Sequence, residues 1–536
     1  MSRIVFENER PLVEVDPARA DVACFVGLVR CIAGALLPPA VQDWLEQHGW
    51  AGEGPFVRLP YPAPPVGMPP PPIAMPIADV PIPIESYPAF TAVFDPGGSA
   101  SSFGTDYVAA AVRTFFAQGG KRCYVVRMGD PVTPADTQAS RQDTLQQLLP
   151  AGPFGTADQS GWHGAGHLAG LPDVSFLAMP DLPILAASTP VGAVGQVPLV
   201  PGGPARFVEC APPDVTATPA ITYGAAAPRL VPADYASWAQ AVQSVTQFLA
   251  NGDSLKEMLF VAAFPLPQDT SVAAAAENPS DALTQDIHDV VAAQMPEIAG
   301  AGISTTFLQL AYPWLKTTGS SVLLEGLEPP DGALTGILAR NALTRGTFNS
   351  ATKVAPAEVF DLSPILPAQE TTVPDAPLQW GPNSPQKALI ERFSLFGFTP
   401  AGLALLSDVT AYPGESYRSG RIHRLVAVIR RACRQLGQDA AFEQNGPLLW
   451  ARVQTFLRQL MLRLWQLNAL DGDTITDAFS VRCDRSTMTQ NDLDNGRLVA
   501  VVIFNAASTI ELIRVTLALE TSGTSAQRIA AAAGAR

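Results

Sequence analysis

Residues 106–128, DYVAAAVRTFFAQGGKRCYVVRM, decide the fold class of this chain of 536 residues. Val108, Val112 and Phe115 repeat at the spacing of one helical face, which predicts an amphipathic helix. A Gly-Gly pair follows, and glycine allows the left-handed backbone conformation at which many helices end. The run CYVVRM comes directly afterwards and predicts a buried strand. A helix that leads straight into a buried strand is typical of an α/β domain.

The same alternation of helices and strands continues towards the C-terminus. We predict strands at 174–179, 258–264 and 305–310, and helices at 235–250, 284–294 and 331–341. Strands that alternate with helices at this spacing indicate a largely parallel sheet covered by helices. We therefore expect an α/β core.

Proline-rich stretches and a change of pattern divide the chain. Residues 51–88 contain the runs LPYPAPP and PPPP, and proline lacks the backbone donor that helices and central strands need, so we predict an extended surface loop. Beyond a second proline-rich stretch the pattern changes to helices at 422–436 and 448–470, followed by strands at 496–505 and 509–520. The predicted division is an N-terminal arm at 1–20, an α/β domain at 21–362 with a proline-rich insertion at about 51–88, a linker at 363–384, an α+β domain at 385–505, and a C-terminal strand arm with tail at 506–536.

Composition and charge limit the partners. Charged residues make up 15% of the chain, against about 25% in typical soluble domains. This composition fits either an ordinary alanine- and proline-rich protein or one whose surface is largely covered by neighbouring copies. The net charge is −15, from 34 basic and 49 acidic residues. Nucleic acid and anionic membrane are therefore unexpected as main partners, because both require clustered lysine and arginine.

Cysteine usage and the N-terminal region bear on the compartment. The six cysteines are scattered without a C-x-x-C pair, which predicts reduced, mostly buried thiols and folding in the cytosol. The apolar stretch 22–37 follows acidic residues and is interrupted by Arg30, so we predict neither a signal peptide nor a membrane-spanning helix there. We expect assembly in the cytoplasm.

Patterns that carry catalytic or metal chemistry are weak in this sequence. His163 and His167 have the spacing of a metal-ligand pair on a helix, but the glycines between them disfavour a helix and the glutamate of a zinc-protease motif is missing. The run DGDTITD at 471–477 hints at a calcium loop, but its sixth and twelfth positions lack the required glycine and glutamate. Motifs of nucleotide-binding loops and of serine hydrolases are absent. We expect no catalytic residue, no metal and no cofactor.

Residues 447–470, PLLWARVQTFLRQLMLRLWQLNAL, predict an amphipathic helix of unusual charge. Its predicted apolar face consists of Leu449, Trp450, Val453, Leu457, Leu460, Leu464 and Leu467. The helix also carries Arg452, Arg458 and Arg463 but no acidic residue, although the chain is acidic overall. These arginines are either simply solvated or face an acidic partner.

Four segments resemble, in this order, the tail sheath family of contractile phages, R-type pyocins and extracellular contractile injection systems. They are AAAVRTFFAQGGKRCYVVRM at 109–128, LAGLPDVSFLAMPD at 168–181, AYPWLK at 311–316 with PPDGALTGILARNALTRGTFNSATKVAP at 329–356, and GRL at 496–498 with IELIRVTLALE at 510–520. The third is the most specific, because sheath proteins carry Tyr-Pro-Trp, then Pro-Pro-x-Gly, a short helix ending in Ala-Arg, and a Gly-aromatic turn at that place. The proline-rich region before residue 85 is longer than a minimal sheath protein needs, which favours the injection-system branch.

The resemblance implies a fold and a mechanical function. It implies an α/β core that the family's description calls subtilisin-like, without catalysis, followed by a C-terminal α+β domain. It also implies a structural subunit that polymerises helically around an inner tube and contracts to drive that tube into a target. The implied partners are further copies of the chain, the inner tube protein, and baseplate and cap or terminator proteins. Neither nucleic acid nor direct membrane insertion is implied, and the assembled particle is extracellular, part of a virion, or anchored to a membrane.

The resemblance also assigns roles to particular residues. It makes Arg452, Arg458 and Arg463 candidate contacts to the tube, because sheath subunits present a helix of the C-terminal domain inward. The terminal strands are candidate arms that pair with neighbouring subunits. The residues of these arms are Ile4, Val5, Phe6, Leu12, Val13, Val15, Ile513, Val515, Leu517 and Leu519.

Three alternatives remain open from the sequence. The terminal strands could pair within their own subunit. The chain could be an enzyme, such as a hydrolase, on an α/β scaffold. It could also be a paralogue of the sheath subunit, or a terminator, at one end of the particle.

Overall fold

The structure is a computed structural model that describes most of the chain. The described residues are 20–32, 37–50, 77–95, 104–150, 161–191, 194–197, 222–252, 254–268, 279–372, 378–379, 385–440, 443–507 and 512–519. The predicted N-terminal arm, with Ile4, Val5, Phe6, Leu12, Val13 and Val15, lies outside these ranges. Residues 51–76 of the proline-rich insertion and the tail after 519 lie outside them as well.

Strands and helices alternate along the first three quarters of the chain. The strands are β1 (Ala23–Leu28), β2 (Pro81–Ile84), β3 (Cys123–Gly129), β4 (Phe176–Ala178), β5 (Val194–Val197), β6 (Thr222–Ala225), β7 (Arg229–Leu230), β8 (Leu259–Ala263), β9 (Leu266–Pro267), β10 (Leu308–Tyr312), β11 (Trp314–Thr317), β12 (Val359–Ser363), β13 (Leu378–Gln379), β14 (Pro385–Gln386), β15 (Ser394–Thr399) and β16 (Gly402–Leu405). The helices are α1 (Pro39–Gln47), α2 (Tyr87–Val93), α3 (Tyr107–Ala117), α4 (Gln138–Leu148), α5 (Leu182–Ala186), α6 (Pro232–Asn251), α7 (Pro279–Gln294), α8 (Asp331–Thr344), α9 (Ala368–Thr371) and α10 (Glu415–Arg418).

The last quarter begins with two long helices and ends in strands. Its elements are α11 (Gly420–Ala440), α12 (Pro447–Gln466), α13 (Ile475–Ala478), β17 (Phe479–Arg482), α14 (Gln490–Asp494), β18 (Leu498–Asn505) and β19 (Leu512–Leu519).

The central sheet has the strand order β16-β15-β10-β8-β4-β1-β3-β2. The six strands from β15 to β3 in this order are parallel to one another. Strands β1, β8 and β10 are buried along their whole length, as expected for parallel strands covered by helices on both faces. The structure thus confirms the expected α/β core with a largely parallel sheet.

Both edges of the central sheet are antiparallel. Strand β16 pairs with β15, and β2 pairs with β3. Pro81 and Pro83 therefore lie in a strand, although the sequence predicts a loop there. Proline is tolerated at this place because β2 is an edge strand, where the missing donor interrupts no second ladder of hydrogen bonds.

Helices α3 and α8 pack closely against each other. A Cβ atom added at Gly332 would lie 2.5 Å from the Cα atom of Ala111, so only glycine permits this contact. One added at Gly336 would lie 2.6 Å from the carbonyl oxygen of Phe115. The Ala-rich and Gly-rich segments that carry the family resemblance thus meet at one helix–helix contact.

The C-terminal part forms its own small core. Strands β17, β18 and β19 make an antiparallel sheet, and α12 contacts β17 and β18. The buried residues of this C-terminal core include Ile422, Ile429, Val453, Met461, Val502 and Phe504. Buried and half-buried residues alternate along β18, as expected for a sheet with one covered face.

The boundary between the two parts differs from the predicted one at 385. Strands β15 and β16 belong to the central sheet, and buried residues up to Ala411 belong to the central core. The C-terminal core begins with Ile422 on α11. The proline-rich stretch is therefore a poor guide to the boundary, because the chain returns to the first sheet after it.

Candidate interaction surfaces

Helix α12 buries one face in the C-terminal core. Its buried residues are Leu449, Val453, Leu457, Met461 and Leu464. Met461 was missed by the sequence reasoning, although it is fully buried, and Trp450 and Leu460 are only half-buried. The assignment of Leu467 to the buried face is wrong, because the helix ends at Gln466 and Leu467 is 51% exposed.

The three arginines predicted to contact a partner are all exposed. Arg452 forms an ion pair with Glu443, and both side chains are accessible to solvent. Within the described part of the chain, Arg458 and Arg463 have no carboxylate partner. At about 100° per residue, Arg452 and Arg463 lie within about 20° of each other around the helix, and Arg458 lies about 120° away from Arg452. The helical period therefore places two of the three arginines on one side of α12, and the structure shows both of them exposed.

Exposed apolar residues share that side with the two arginines. Leu448 is 89% exposed, Phe456 37% and Leu467 51%. We call the set the outer stripe, and it consists of Leu448, Arg452, Phe456, Arg463 and Leu467. The helical spacing of 448, 452 and 456 was the available signal for this stripe, but it was hidden by the longer apolar run on the buried face.

The C-terminal strand pairs within its own chain. Ile513, Val515, Leu517 and Leu519 lie in β19, which pairs with β18 along its whole length, with Val515 opposite Val502. Strand β19 is the outer strand of this sheet in the described structure. Its second edge is the place where a further strand would add to the sheet.

Helix α11 ties the C-terminal core to the central sheet. Arg424 donates two hydrogen bonds to Asp408, at 2.9 and 2.6 Å, and both side chains are buried. Gln309 and the backbone amide of Ala351 also donate to Asp408, each at 2.9 Å. Burial alone would raise the pKa of Asp408, but the Arg424 charge and these hydrogen bonds hold it below its usual value.

Two further arginines of α11 hold the edge of the central domain. Arg434 donates to both carboxylate oxygens of Glu257, at 2.9 and 2.7 Å, and Glu257 is buried just before β8. Arg431 donates to the carbonyl oxygen of Val174 at 3.0 Å and to the hydroxyl of Ser175 at 3.1 Å. We call these contacts, together with Arg424 and Asp408, the arginine joint. Sequence reasoning missed it, because nothing in the chain marks which acids the arginines meet.

The position where open α/β sheets bind ligands is filled by the protein itself. The strand order changes direction between β1 and β4, and ligands usually bind beyond the carboxyl ends of strands at such a point. Here the Leu28 amide donates to Asp181 at 2.6 Å, and Asp181 is fully buried. A Cβ atom added at Gly27 would lie 2.3 Å from Asp181 Oδ2. Burial, together with the charges of Asp106 and Asp331, raises the pKa of Asp181 well above its usual value.

His163 and His167 bind a carboxylate of the chain. His163 Nδ1 lies 2.7 Å from Asp79 Oδ2, and His167 Nε2 lies 2.9 Å from Asp79 Oδ1. Trp50 Nε1 donates to His167 Nδ1 at 3.1 Å, so His167 presents its Nε2 proton to Asp79. Burial raises the pKa of Asp79, but the bonds from both histidines and from the Gly164 amide lower it overall. The i, i+4 pair thus fixes the segment around Asp79 against residues 163–167.

The described residues meet the requirements neither of a metal site nor of a membrane-spanning helix. Within the described residues, no group of three or more histidine, cysteine, aspartate or glutamate side chains is arranged to hold a metal ion. None of the described helices combines the length and the apolar composition needed to cross a bilayer.

Comparison with known proteins identifies a shared fold. Neither a protein-family model nor a curated protein matches the chain. Among solved structures, a chain of the anti-feeding prophage helical sheath in its contracted state matches with a TM-score of 0.52 and 16% identity, over 95% of this chain and 96% of that one. A chain of the contracted anti-feeding prophage baseplate matches with a TM-score of 0.52 and 16% identity, over 96% and 98%. A chain of the six-fold symmetrised baseplate matches with a TM-score of 0.51 and 16% identity, over 95% and 96%. The fold is therefore shared over nearly the whole length.

Proposed function

We propose that this chain is a structural sheath subunit of a contractile injection system. In the proposal, copies polymerise helically around an inner tube and contract to drive that tube into a target. The observation that supports it best is the shared fold with the contracted helical sheath of the anti-feeding prophage, which extends over 95% of this chain. The filled position at the β1–β4 strand switch agrees with a mechanical role, because enzymes built on open α/β sheets usually bind their ligands in a crevice there.

The arginine joint supplies the stiffness that such a subunit needs. The free energy of contraction would come from contacts between copies, so each subunit must transmit force without yielding internally. Buried ion pairs such as Asp408–Arg424 connect the two cores at fixed geometry, since separating the partners would leave a charge buried and unpaired. We infer that the central domain and α11 move together during contraction.

The outer stripe is the proposed contact to the inner tube. Arg452 and Arg463 present positive charge to solvent on a chain whose net charge is −15, and Leu448, Phe456 and Leu467 provide apolar area between and beside them. An acidic tube surface with small apolar recesses matches this pattern. Arg458, the third arginine of the sequence hypothesis, lies on another side of α12 and contributes less to this contact.

The terminal arms are the proposed links between subunits. Strand β19 has a second edge to which a strand of a neighbouring copy could add, and the N-terminal residues 4–6 and 12–15 are the candidate strand. The subtilisin-like description of the core, assembly in the cytoplasm, and baseplate and cap proteins as further partners belong to the same proposal. The finished particle would then act outside the cell, within a virion or from a membrane.

Two of the matching structures favour a second candidate. They are chains of the anti-feeding prophage baseplate, so a subunit that forms a ring next to the baseplate has the same fold-level support. Such a paralogue would use the same arms and outer stripe but would stop after one ring.

Negative-stain electron microscopy of the full chain, alone and co-expressed with its genomic neighbours, tests the proposal. We expect hollow, helically striated cylinders that are wider than the naked tube. Single rings bound to a baseplate would support the second candidate instead. Uniform small particles under every condition would contradict both and favour an enzyme.

A further inference from the structure

A small cavity lies beside α5 in the central domain. Its volume is about 200 Å³, which is below the range of sites for drug-sized molecules. Apolar residues make up most of its wall, and they include Ile184, Ala187, Val191, Ala226, Pro228 and Leu324. Two arginines, Arg141 and Arg229, also line it. An apolar wall with a positive charge is suited to an amphiphilic anion.

Arg141 is a buried guanidinium to which none of the described carboxylates is bound. The residue is on α4 and is only 3% exposed. Nη1 lies 3.5 Å from the carbonyl oxygen of Ile184 and Nη2 lies 3.5 Å from that of Ser188, both at the outer limit of a hydrogen bond. Nε is buried and has no hydrogen-bond partner in the described part of the chain. Buried charges in proteins are normally paired, so this arrangement is incomplete.

The two acids whose charges act on Arg141 are hydrogen-bonded to other groups. Asp234 Oδ2 accepts hydrogen bonds from the amide and the hydroxyl of Ser188, at 2.8 and 2.9 Å. Asp136 Oδ2 accepts from the amide and hydroxyl of Thr133, at 2.6 and 2.9 Å. Burial lowers the pKa of Arg141, and these two carboxylates oppose that effect only from a distance.

The second arginine of the cavity is already neutralised. Arg229 donates to both oxygens of Glu325, at 2.6 and 2.9 Å. Glu325 also accepts from the Ala227 amide at 2.9 Å. The cavity thus contains one paired arginine and one whose pairing is unfinished, and the second defines where an anion would bind.

We propose that this cavity binds a small organic carboxylate with a short apolar body. The carboxylate pairs with Nη1 and Nη2 of Arg141, which make only long bonds within the chain, and the apolar body contacts Ile184, Val191 and Leu324. This inference goes beyond the sheath function and does not depend on it, since the site lies within one subunit, away from α12 and β19.

Calorimetric titration of the full chain with hexanoate tests the proposal. Hexanol and hexylamine are matched probes with the same apolar body and a neutral or positive head. We expect saturable binding of hexanoate at one site, with hexanol weaker by about tenfold or more because a bond to a charged group is lost. Equal binding of hexanoate and hexanol, or no binding of hexanoate at millimolar concentration, would overturn the proposal.

Two variants locate the site. Ala226→Leu enlarges a side chain of the cavity wall and leaves Arg141 itself unchanged, and we expect it to abolish hexanoate binding while circular dichroism and the melting temperature remain close to wild type. Arg141→Gln removes the charge and should weaken binding about tenfold or more, whereas Arg141→Lys should restore part of it. If Arg141→Gln fails to fold, the Ala226→Leu result decides alone. Unchanged binding in Ala226→Leu would contradict the assignment to this cavity.

Discussion

The central domain and the C-terminal part use their surfaces differently. Strands β1, β8 and β10 are buried on both faces, so the central sheet is covered by the chain's own helices. In the C-terminal part, β18 alternates between buried and half-buried residues, and α12 buries one face while leaving Leu448 89% exposed on another. The central domain covers both faces of its sheet, although its surface also exposes large apolar side chains such as Phe360 at 62% and Ile365 at 67%. The C-terminal sheet covers one face, and α12 exposes both apolar and cationic side chains. The following experiments test that contrast.

The largest expected effect comes from breaking the arginine joint. Asp408→Ala leaves the buried Arg424 without its carboxylate, and breaking a buried pair in this way costs about 3–5 kcal/mol. We expect that loss in the free energy of unfolding measured by urea denaturation. We also expect a single transition to split into two, because the joint is a main polar connection between the two cores.

A matched control for Asp408→Ala is Glu443→Ala. It removes the Arg452–Glu443 ion pair, whose side chains are 51% and 39% exposed. Exposed pairs contribute about 0–1 kcal/mol, so stability should hardly change. Equal losses in the two variants would show that the joint is not a special connection.

The second effect compares a buried and an exposed position on α12. Met461→Ala empties a fully buried position and should cost about 2–5 kcal/mol. Leu448→Ala removes a side chain that is 89% exposed and should change stability by less than about 0.5 kcal/mol. Hydrogen exchange should increase in β17 and β18 of Met461→Ala but not in β8 or β10. Exchange that increases equally in both regions would contradict two separate cores.

The third effect is a pH dependence of stability that arises in the central domain, at the buried residue Glu328. Burial raises the pKa of Glu328 to about 7 from 4.5, although the hydroxyls of Thr114 and Thr317 and the charge of Arg113 oppose it. The folded protein therefore keeps this proton up to about pH 7, while the unfolded chain loses it near pH 4.5. The stability that Glu328 contributes is present below about pH 4.5 and is lost as pH rises through about 7. The difference of about 2.5 units corresponds to at most about 3 kcal/mol.

Glu328→Gln isolates this contribution. Between about pH 4 and pH 8, the free energy of unfolding should fall by up to about 3 kcal/mol more in the wild type than in the variant. Asp331 is present in both proteins, and burial raises its pKa to about 7. Because the Glu328 charge also raises the pKa of Asp331, the comparison measures Glu328 together with its effect on Asp331. Parallel stability curves would mean that Glu328 is already ionised near pH 5.

The smallest expected effect on stability is at the outer stripe. The double variant Arg452→Glu, Arg463→Glu changes exposed side chains and should alter the free energy of unfolding by less than about 0.5 kcal/mol. Under the proposed function it should nevertheless abolish sheath assembly on the tube, measured by co-sedimentation and electron microscopy. Arg458→Glu is the matched control, and we expect it to assemble because it lies about 120° away on α12. Normal assembly of the double variant would exclude the outer stripe as the tube contact.

Much of the fold follows from local patterns in the chain. The predicted helices at 235–250 and 448–470 correspond to α6 (Pro232–Asn251) and α12 (Pro447–Gln466). A helical repeat of apolar residues over several turns is a strong local signal of a helix. For strand β1 the sequence indicates only an apolar segment, since a short buried run does not distinguish a strand from a helix. The return of β15 and β16 to the central sheet has no local signal at all.

The sequence by itself determined the α/β class, the exposed arginines of α12 and, through four short segments, a resemblance whose fold the structure shares. Helical periodicity also places Arg452 and Arg463 on one side of α12. Only the tertiary structure decided that Asp408 and Glu257 anchor α11 and that Arg141 lines a cavity. The physical reason is the distance along the chain over which each kind of interaction acts. Helical and strand periods are set by neighbours a few residues apart, whereas an ion pair such as Arg434–Glu257 joins residues 177 positions apart and depends on how whole elements pack.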